Sequence, residues 1–512
     1  MIRTGAEREI RVEPFDQYNR QLVANVHPAE WVNPRARERY HLVVIGAGTA
    51  GLVTASIAAG LGARVALVER HLMGGDCLNV GCVPSKGIIS AARAWQTAAD
   101  ASRVYGGPRV SGAGNFGEVM ERMRRLRAGI SRVDGAARFR DLGVDVFLGE
   151  ARFTGRDRAE VDGQTLRFRR AVIATGGRAA APSIPGLASA GYLTNETIFS
   201  LTELPTHLLV LGAGPIGCEM AQAFARLGSK VTVVNREAHA LPREDPDAGL
   251  IVERAMQRHG VQFIHRAAVT RVESRDGGPV LTVERDGRSE QIACDRILAA
   301  VGRTPNVEGL GLEVAGVGAD AGGVTVDDRL RTSNPRIYAI GDVSSKYKFT
   351  HAADAQARLV IGNALFFGLG GGRASRLIVP WATYTSPEVA HVGLSERQAT
   401  EAGHRVHTIT IPLHDVDRAV LDGEEEGFFR VHLRQGTDRI LGATLVAEHA
   451  GDMIGEIGVA MTAGLGLGRI GGTIHPYPTQ SEVFRKAADA WSRTRLTPRA
   501  KRVLEWVFRV MR

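Results

Sequence analysis

A glycine-rich turn that occurs twice constrains the fold of this chain more than any other feature. The stretch HLVVIGAGTAGLVTASIAAGLGARVALVERH (41–71) has the pattern of strand, glycine turn, helix and strand, and HLLVLGAGPIGCEMAQAFARLGSKVTVVNREAHALPRED (207–245) repeats it. The first glycine of such a turn permits a tight bend, the second lets the backbone approach a pyrophosphate, and the third lets the helix pack closely on the strand. Two such turns predict an α/β chain with two Rossmann-like dinucleotide-binding domains. The glycines concerned are Gly46, Gly48, Gly51, Gly212, Gly214 and Gly217.

The residues after the second strand of each repeat differ in charge. Glu69 ends the strand in the first repeat, where a carboxylate can accept hydrogen bonds from a ribose. The corresponding residue in the second repeat is Asn235, and Arg236 follows it. A cation without a carboxylate suits a 2′-phosphate, so we expect NADPH rather than NADH, although NADH stays possible. Arg243 is a candidate second contact; the alternative is that both arginines are solvated loop residues.

Three further apolar runs end in glycine, which is typical of a buried strand that delivers a loop to the carboxyl edge of a sheet. They are RRAVIATGG (169–177), DRILAAVGRTPN (295–306) and NPRIYAIGDV (334–343). Asp342, at such a strand end, is a candidate ligand for the ribityl hydroxyls of a flavin. The other candidate cofactor contacts in these runs are Thr175, Gly176 and Gly302. From about residue 381 the pattern changes to that of a separate α+β domain.

Size and charge narrow the class of protein. A chain of 512 residues is expected to divide into about two to four domains. It has no uninterrupted apolar stretch of membrane-spanning length, and MIRTGAEREIRVEP lacks the apolar core of a signal peptide, so a cytoplasmic location is expected. The net charge of +9 is not accompanied by a nucleic-acid-binding motif, so that partner is not expected.

Much of the positive charge lies in SRTRLTPRAKRVLEWVFRVMR (492–512). One interpretation is a surface helix packed on the body of the protein. The other is a basic amphipathic helix that makes peripheral contact with an anionic membrane.

The stretch GGDCLNVGCVPSK (74–86) contains Cys77 and Cys82, half of the chain's 4 cysteines. A close pair in a cytosolic chain is more often catalytic or metal-binding than a structural disulfide. A zinc site would need two further Cys or His ligands at short spacing, and none is evident, so no metal site is expected. An ideal helix places the two sulfurs too far apart for a disulfide, so we expect the helix to be distorted here, which the adjoining glycines permit.

The order of these motifs resembles that of the flavin-dependent pyridine nucleotide-disulfide oxidoreductases, a family that includes dihydrolipoamide dehydrogenase, glutathione reductase and mercuric reductase. The similarity covers roughly residues 40–490. It implies FAD on the first fold, NAD(P)H on the second, and a homodimer, joined by the C-terminal domain, that shares its active site between subunits. The expected regions are an N-terminal extension (1–39), an FAD-binding domain (40–187, completed by 311–380), an NAD(P)H-binding domain (188–310), a dimerisation domain (381–491) and the basic terminal helix (492–512).

The resemblance also implies roles for residues around the cysteine pair. Cys77 corresponds to the interchange thiol that attacks a substrate disulfide or captures a soft metal ion. Cys82 corresponds to the thiolate stacked against the flavin. Lys86 is placed beside the flavin and paired to Glu219, where a cation would stabilise reduced, anionic flavin.

The terminal segment HPYPTQSE (475–482) departs from the family's HPTxSE pattern. Disulfide-reducing members use the histidine as an acid–base group in the other subunit's site and the glutamate to orient it. Here Tyr477 occupies the place of the histidine, as a tyrosine does in mercuric reductases, and Glu482 is the glutamate. His475 lies close enough in sequence to be the alternative proton donor.

We therefore expect electrons to pass from NADPH through FAD to the Cys77–Cys82 pair and on to a small disulfide or related electrophile. One alternative is reduction of Hg(II), with both cysteines as ligands. Against it, no cysteine follows Cys294 that could relay the metal to the site. The other alternative is a membrane-associated redox sensor or electron-transfer protein.

Overall fold

The computed structural model describes residues 10–112, 114–366 and 371–511. Its helices are α1 (Gln17–Val26), α2 (Thr49–Gly60), α3 (Gly75–Val80), α4 (Cys82–Val104), α5 (Phe116–Ile130), α6 (Ala136–Asp141), α7 (Leu187–Ala190), α8 (Pro215–Arg226), α9 (Pro246–Arg258), α10 (Leu312–Ala315), α11 (Thr350–Leu365), α12 (Glu396–Glu401), α13 (Asp417–Asp422), α14 (Ala450–Thr462), α15 (Leu467–Gly471), α16 (Glu482–Thr494) and α17 (Pro498–Val510).

The strands are β1 (Tyr40–Ile45), β2 (Val65–Glu69), β3 (Asp145–Leu148), β4 (Ala151–Gly155), β5 (Arg158–Val161), β6 (Gln164–Ile173), β7 (Gly177–Ala179), β8 (His207–Leu211), β9 (Lys230–Val234), β10 (Val261–Ile264), β11 (Ala267–Arg275), β12 (Gly278–Arg285), β13 (Arg288–Ala293), β14 (Arg296–Ala299), β15 (Arg303–Pro305), β16 (Ala319–Asp320), β17 (Gly323–Val324), β18 (Ile337–Ala339), β19 (Trp381–Thr383), β20 (Glu388–Gly393), β21 (Val406–Pro412), β22 (Phe428–Arg434) and β23 (Ile440–Ala447).

The largest sheet has the order β3-β2-β1-β6-β5-β4, and β18 also pairs with β6. β1 runs parallel to β2 and β6, and β18 runs parallel to β6. The register places Ile45 opposite Ile173, and Ile173 opposite Ala339. β1 is an almost continuous buried apolar run, as expected for a parallel strand covered on both faces. The loops that follow β1, β6 and β18 therefore leave one edge of the sheet together.

The second glycine turn leaves a smaller sheet in the same manner. This sheet has the order β10-β9-β8-β14, and β8 runs parallel to both β9 and β14. Leu211 pairs with Val234 and with Ala299, so the loops after these three residues share the carboxyl edge. An antiparallel sheet of β11, β12 and β13 follows in the chain.

The C-terminal part of the chain has a different, antiparallel architecture. Its sheet has the order β19-β20-β23-β22-β21, and every residue of β23 is buried. Residues from α14, α15 and α16 share one hydrophobic cluster with this sheet, in which Phe429 and Phe484 meet edge to face. The mixed α/β fold class expected from the sequence is confirmed.

The described residues form two compact units. One comprises the described residues up to 102 together with 108–236 and 262–377, and the other comprises 103–107, 237–261 and the described residues from 378 on. α9, which lies inside the predicted NAD(P)H-binding region (188–310), belongs to the second unit. The finer domain boundaries expected from the sequence stay predictions. No helix in the described part of the chain is both long enough and apolar enough to cross a membrane.

Candidate active site

The first glycine turn has two glycines that the fold requires and one that leaves space. Gly46 has φ +102°, and a Cβ there would fall 2.4 Å from the carbonyl oxygen of Ala174. A Cβ on Gly51 would fall 1.8 Å from the carbonyl oxygen of Gly46. On Gly48 a Cβ would meet nothing closer than 3.7 Å, so the fold itself does not exclude a side chain. Gly48 is also the N-cap of α2 and has no side-chain cap, so the position fits the close approach of a pyrophosphate to the helix N-terminus.

The second turn repeats this arrangement. Gly212 has φ +98°, and a Cβ on Gly217 would lie 2.1 Å from the carbonyl oxygen of Gly212. Around Gly214, the N-cap of α8, a Cβ would have no neighbour within 4 Å. Both turns therefore offer an open N-terminal cradle of the kind that a dinucleotide phosphate fills.

Glu69 lies against the first turn. Its Oε2 accepts a hydrogen bond of 2.7 Å from the backbone N–H of Ala47, and its Oε1 accepts one of 2.8 Å from the N–H of His71. The carboxylate therefore fixes the turn, at the edge where the sequence predicts a ribose contact.

The loops after β6, β14 and β18 carry the other predicted cofactor contacts. The Thr175 hydroxyl donates to the carbonyl oxygen of Asn306 at 2.7 Å, and Gly176 has φ +67°. Gly302, with φ +137°, directly precedes β15, which pairs with β7. Asp342 lies in the turn after β18 and forms a salt bridge with Arg303.

Arg303, in the run DRILAAVGRTPN (295–306), makes contacts that the sequence did not predict. Its Nε lies 3.2 Å from Asp342 Oδ2, and its Nη2 lies 3.2 Å from Asp76 Oδ1. Nη2 also donates to the carbonyl oxygen of Gly177 at 2.9 Å. One largely buried guanidinium thus joins the loop after β18 to the residue before Cys77.

The expected helix distortion lies between the two cysteines. Cys77 is in α3 and Cys82 begins α4, with a break at Gly81, where φ is −130° and ψ is −115°. A Cβ on Gly81 would lie 2.8 Å from both the carbonyl oxygen and a carboxylate oxygen of Asp76. The break therefore needs a glycine, and it brings the two side chains into hydrogen-bonding contact.

Both cysteines are free thiols with opposite acidities. The hydrogen bond that Cys77 donates, followed by contributions from Thr350 and Lys86, lowers the pKa of Cys82 to about 6, against the opposing effect of burial. The same hydrogen bond and burial raise the pKa of Cys77. The Thr350 hydroxyl, at the start of α11, lies 3.5 Å from Cys82 Sγ. The pair therefore has one sulfur that favours the thiolate and one that favours the thiol.

The predicted ion pair beside the cysteines is present. Lys86 Nζ lies 2.8 Å from Glu219 Oε2, and the glutamate is buried in α8. Lys86 is thereby held one helical turn beyond Cys82. Within the described residues, no group of three or more His, Cys, Asp or Glu side chains is arranged to hold a metal ion.

The three candidate residues of the terminal segment have three different partners. His475 Nε2 lies 3.0 Å from Glu456 Oε1. The exposed Tyr477 donates its hydroxyl to Asp417 Oδ2 at 2.8 Å, and this hydrogen bond raises the pKa of Tyr477.

Glu482 does not pair with either aromatic residue. Its Oε1 accepts from Arg485 Nη2 at 2.7 Å, whereas the buried Oε2 has no hydrogen-bond partner among the described residues. The structure therefore contains no His475–Glu482 or Tyr477–Glu482 dyad within one described chain.

Residues that follow the second glycine turn in the chain line a basic cleft of about 510 Å³. Arg236 lies in this cleft, while Asn235 is buried and its Nδ2 lies 3.3 Å from His265 Nδ1. Arg243 is not among the lining residues. Local sequence patterns did not predict the other cationic lining residues, because these come from the distant hairpin of β12 and β13 and from the residue before β11. These hairpin arginines are Arg266, Arg285 and Arg288, and with Arg236 they outnumber the acids Glu284 and Asp286.

A second missed feature connects the N-terminal extension to the cysteine turn. The buried Arg127 of α5 donates from Nη1 to the carbonyl oxygen of Asn79 at 2.6 Å and from Nη2 to Asn19 Oδ1 at 2.7 Å. Asn79 lies between the two cysteines, and Asn19 lies in α1. Asp16, the N-cap of α1, accepts a 2.5 Å contact from Arg124 Nε. The Arg127 guanidinium therefore links the N-terminal extension to the backbone between the two cysteines.

Comparison with known proteins follows the same division of the chain. Residues 40–357 match the family described as pyridine nucleotide-disulphide oxidoreductase, and residues 379–488 match its dimerisation domain. The chain belongs to the pyridine nucleotide-disulphide oxidoreductase family. The enzymes of this family are FAD-dependent and use a pyridine nucleotide.

Individual family members resemble the chain over nearly their whole length. It is 38% identical over 470 residues to a mercuric reductase of Streptomyces lividans, covering 90% of this chain and 97% of that one. It is 32% identical over 472 residues to a dihydrolipoyl dehydrogenase of Bacillus subtilis, covering 88% and 97%. The solved structure of the HOCl-induced flavoprotein disulfide reductase RclA from Escherichia coli matches with a TM-score of 0.77 at 30% identity, covering 88% of this chain and 99% of that one.

In the second turn, substitution of Gly217 is predicted to lower stability, whereas substitution of Gly214 is predicted to weaken nucleotide binding. Gly217→Ala forces a Cβ against backbone, so we expect a loss of about 3 kcal/mol in the free energy of unfolding. Gly214→Ala should change stability by less than about 1 kcal/mol but raise the KM for the nicotinamide nucleotide by about tenfold or more, because the methyl group occupies the phosphate's approach. Urea unfolding and steady-state kinetics measure the two effects. Equal destabilisation by both substitutions would contradict the assignment.

Arg127 is predicted to position the cysteine turn. Arg127→Met keeps the apolar bulk and removes two charge-assisted hydrogen bonds, so we expect about 2–4 kcal/mol less stability. We also expect the pKa of Cys82 to rise toward that of an ordinary thiol, measured by the ultraviolet absorbance of its thiolate. Arg125→Met, on the exposed side of the same helix, is the matched control. An unchanged Cys82 titration in a destabilised Arg127→Met would limit the role of Arg127 to folding.

Proposed function

We propose that the chain is an NADPH-dependent reductase in which the Cys77–Cys82 pair relays electrons from a bound FAD to a small disulfide or related electrophile. The observation that carries the proposal is the hydrogen-bonded pair itself, with one low-pKa sulfur beside Lys86 and Thr350. Paired thiols with separated acidities suit thiol–disulfide exchange, because one sulfur can attack while the other takes its proton.

FAD, held at the first glycine turn by Gly46, Gly48 and Gly51, would supply two electrons that it takes as hydride from the reduced nicotinamide. The Cys77–Cys82 disulfide gains two electrons and one proton to give the thiol–thiolate pair. Cys77 then attacks the acceptor disulfide and passes its proton to Cys82, and the first acceptor sulfur leaves as a thiol after taking a second proton. Cys82 attacks the mixed disulfide at Cys77 and gives its proton to the second acceptor sulfur, which releases the second thiol and restores the starting disulfide. Each acceptor disulfide thus consumes two electrons and two protons.

The proton for the first leaving thiol is assigned to the 475–482 segment of a partner subunit. The dimerisation domain of the family supports a homodimer, and we propose that its active site is shared. His475 of the partner subunit is the better donor, because an imidazole ring can hold a proton on one nitrogen and accept a hydrogen bond from an orienting group on the other. Tyr477 of the partner subunit serves as a neutral hydrogen-bond donor, since its pKa is raised.

The domain assignment follows from the same proposal. The FAD is assigned to residues 40–187 with 311–380, the nucleotide to 188–310, and dimerisation to 381–491. The cradles at Gly48 and Gly214 support these assignments, since each is open where a phosphate has to approach.

The cleft around Arg236 favours NADPH as the nucleotide. Four arginines and two acids line it, so its net charge is positive and suits a 2′-phosphate. Arg236 follows the strand β9, where the 2′ position of a nucleotide on the second turn is expected. The sequence-based contacts Asn235 and Arg243 are less direct candidates than the hairpin arginines.

Reduction of Hg(II) is the second candidate function. The 38% identity to a protein named mercuric reductase and the two adjacent sulfurs of low and high pKa favour it. Soft metal ions prefer thiolate ligands.

A variant of the flavin-side cysteine tests the dithiol mechanism. In Cys82→Ala we expect NADPH-dependent reduction of every acceptor to fall about a thousandfold, because the mixed disulfide at Cys77 cannot resolve. Cys294→Ala, outside the pair, should keep near-normal turnover. The assay follows NADPH oxidation with lipoamide, glutathione disulfide, quinones and Hg(II) in excess thiol. Normal turnover in Cys82→Ala would overturn the mechanism, and no Hg(II)-dependent oxidation at any thiol level would exclude the second candidate.

The cleft arginines predict the coenzyme preference. Arg236→Ala combined with Arg288→Ala should raise the KM for NADPH at least about tenfold and leave the KM for NADH within about twofold, because only NADPH carries the 2′-phosphate. Arg275→Ala, an exposed arginine of β11 outside the cleft, is the control. A parallel rise in both KM values would show that the cleft does not read the 2′-phosphate.

A further inference from the structure

The terminal helix α17 lies outside both family matches and is amphipathic. At 3.6 residues per turn, Val503, Val507 and Val510 fall on one face together with Leu504, Phe508 and Met511. Arg502, Glu505 and Arg509 fall on the opposite face. Thr497 caps the helix by accepting a hydrogen bond from the N–H of Ala500, and Pro498 occupies the first turn. The cap and the proline start α17 as a helix separate from α16.

Most of the apolar face of α17 is exposed; of its side chains only Val507 is half-buried. α16 buries Val483, Phe484, Ala487 and Ala488, whereas no residue of α17 is buried. Val503 is 60% exposed and Phe508 62% exposed. The sequence-based alternative of a helix packed on the body is therefore not what the structure shows.

Charge indicates what covers this face. From 492 to 511 the only acid is Glu505, whereas the basic residues are Arg493, Arg495, Arg499, Lys501, Arg502 and Arg509. A second copy of α17 would bring like charges together. An anionic lipid surface instead complements them, and Trp506, at the border between the faces, suits the interface between headgroups and acyl chains.

We propose that α17 binds the protein to the surface of an anionic membrane, with its apolar face in the acyl boundary and its basic residues on the headgroups. Its 13 residues span only about 20 Å, less than the roughly 30 Å of a hydrocarbon core. The helix therefore lies along the membrane surface. This surface is distinct from the cysteine pair, so the proposal stands or falls independently of the acceptor.

Vesicle co-sedimentation of the full chain tests the proposal. We expect binding to vesicles of phosphatidylcholine mixed with phosphatidylglycerol, weaker binding to phosphatidylcholine alone, and loss of binding as salt is raised. Val503→Asp with Leu504→Asp should lower the partition coefficient at least about tenfold. Equal partitioning of this double variant and the unaltered chain, or equal binding to both kinds of vesicle, would overturn the proposal.

A matched control separates the helix from general surface charge. Val133→Asp with Leu142→Asp makes the same replacements at residues that are 56% and 43% exposed, against 60% and 42% for Val503 and Leu504. We expect the control pair to bind vesicles normally, and equal loss in both pairs would count against α17.

Two further measurements are needed, because the two aspartates could unfold α17 and because its apolar face could bind a second copy of the protein instead of lipid. Arg502→Gln with Arg509→Gln leaves the apolar face intact and should weaken binding to the mixed vesicles by about fivefold per charge. An unaffected partition coefficient in that variant would contradict the electrostatic contribution. Sedimentation velocity without lipid should give one mass for the unaltered chain and for Val503→Asp with Leu504→Asp; a lower mass in the variant would assign the face to self-association and overturn the proposal.

Discussion

The parallel pairing of β6 with β1 on one side and β18 on the other is the constraint on which the candidate active site depends. Because Ile45, Ile173 and Ala339 share one register, the glycine turn, the Thr175 loop and the Asp342 turn emerge at one edge. Each of these loops is short, so its position is set mainly by the strand that precedes it. Arg303 then bonds to Asp342 and to Asp76, so the residue before Cys77 is tied to that edge by charge as well as by chain connectivity.

The different pKa values of the two cysteines depend on the helix break at Gly81, which lies between them. Gly81 interrupts the helix where any side chain would strike Asp76, and the interruption turns two residues that would lie apart into a donor and an acceptor. The hydrogen bond between the two sulfurs is the main cause of both shifts: together with burial it raises the pKa of the donor, Cys77, and together with Thr350 and Lys86 it lowers the pKa of the acceptor, Cys82. Glu219 keeps Lys86 in place from a different segment of the chain, so the charge near Cys82 does not depend on a flexible surface lysine.

The sequence predicted the features that depend on local spacing. Each of these features depends on residues that are close together in the sequence. They are the glycine turns, the strand ends with Thr175 and Asp342, the break between the cysteines and the α+β character of the C-terminal part. The Lys86–Glu219 pair was available only through the family resemblance, since the two residues are 133 positions apart. Arg303, Arg127 and the hairpin arginines were missed because their partners come from distant segments; Arg303 and Asp76 are 227 positions apart. The separate partners of His475, Tyr477 and Glu482 could not be predicted either, because Glu456 and Asp417 belong to other helices.

The two ends of the chain extend the family fold in opposite physical ways. The N-terminal extension is absorbed into the protein: α1 buries Leu22, Val23 and Val26, and Asn19 shares the guanidinium that holds the cysteine turn. A segment that buries apolar surface and supplies a partner to a buried cation contributes to stability and to the geometry of the site. α17 does neither, since none of its residues is buried and most of its apolar side chains are exposed. An exposed apolar face of this size carries a continuing cost in water, and a cost that folding does not remove is a physical reason to expect a binding surface.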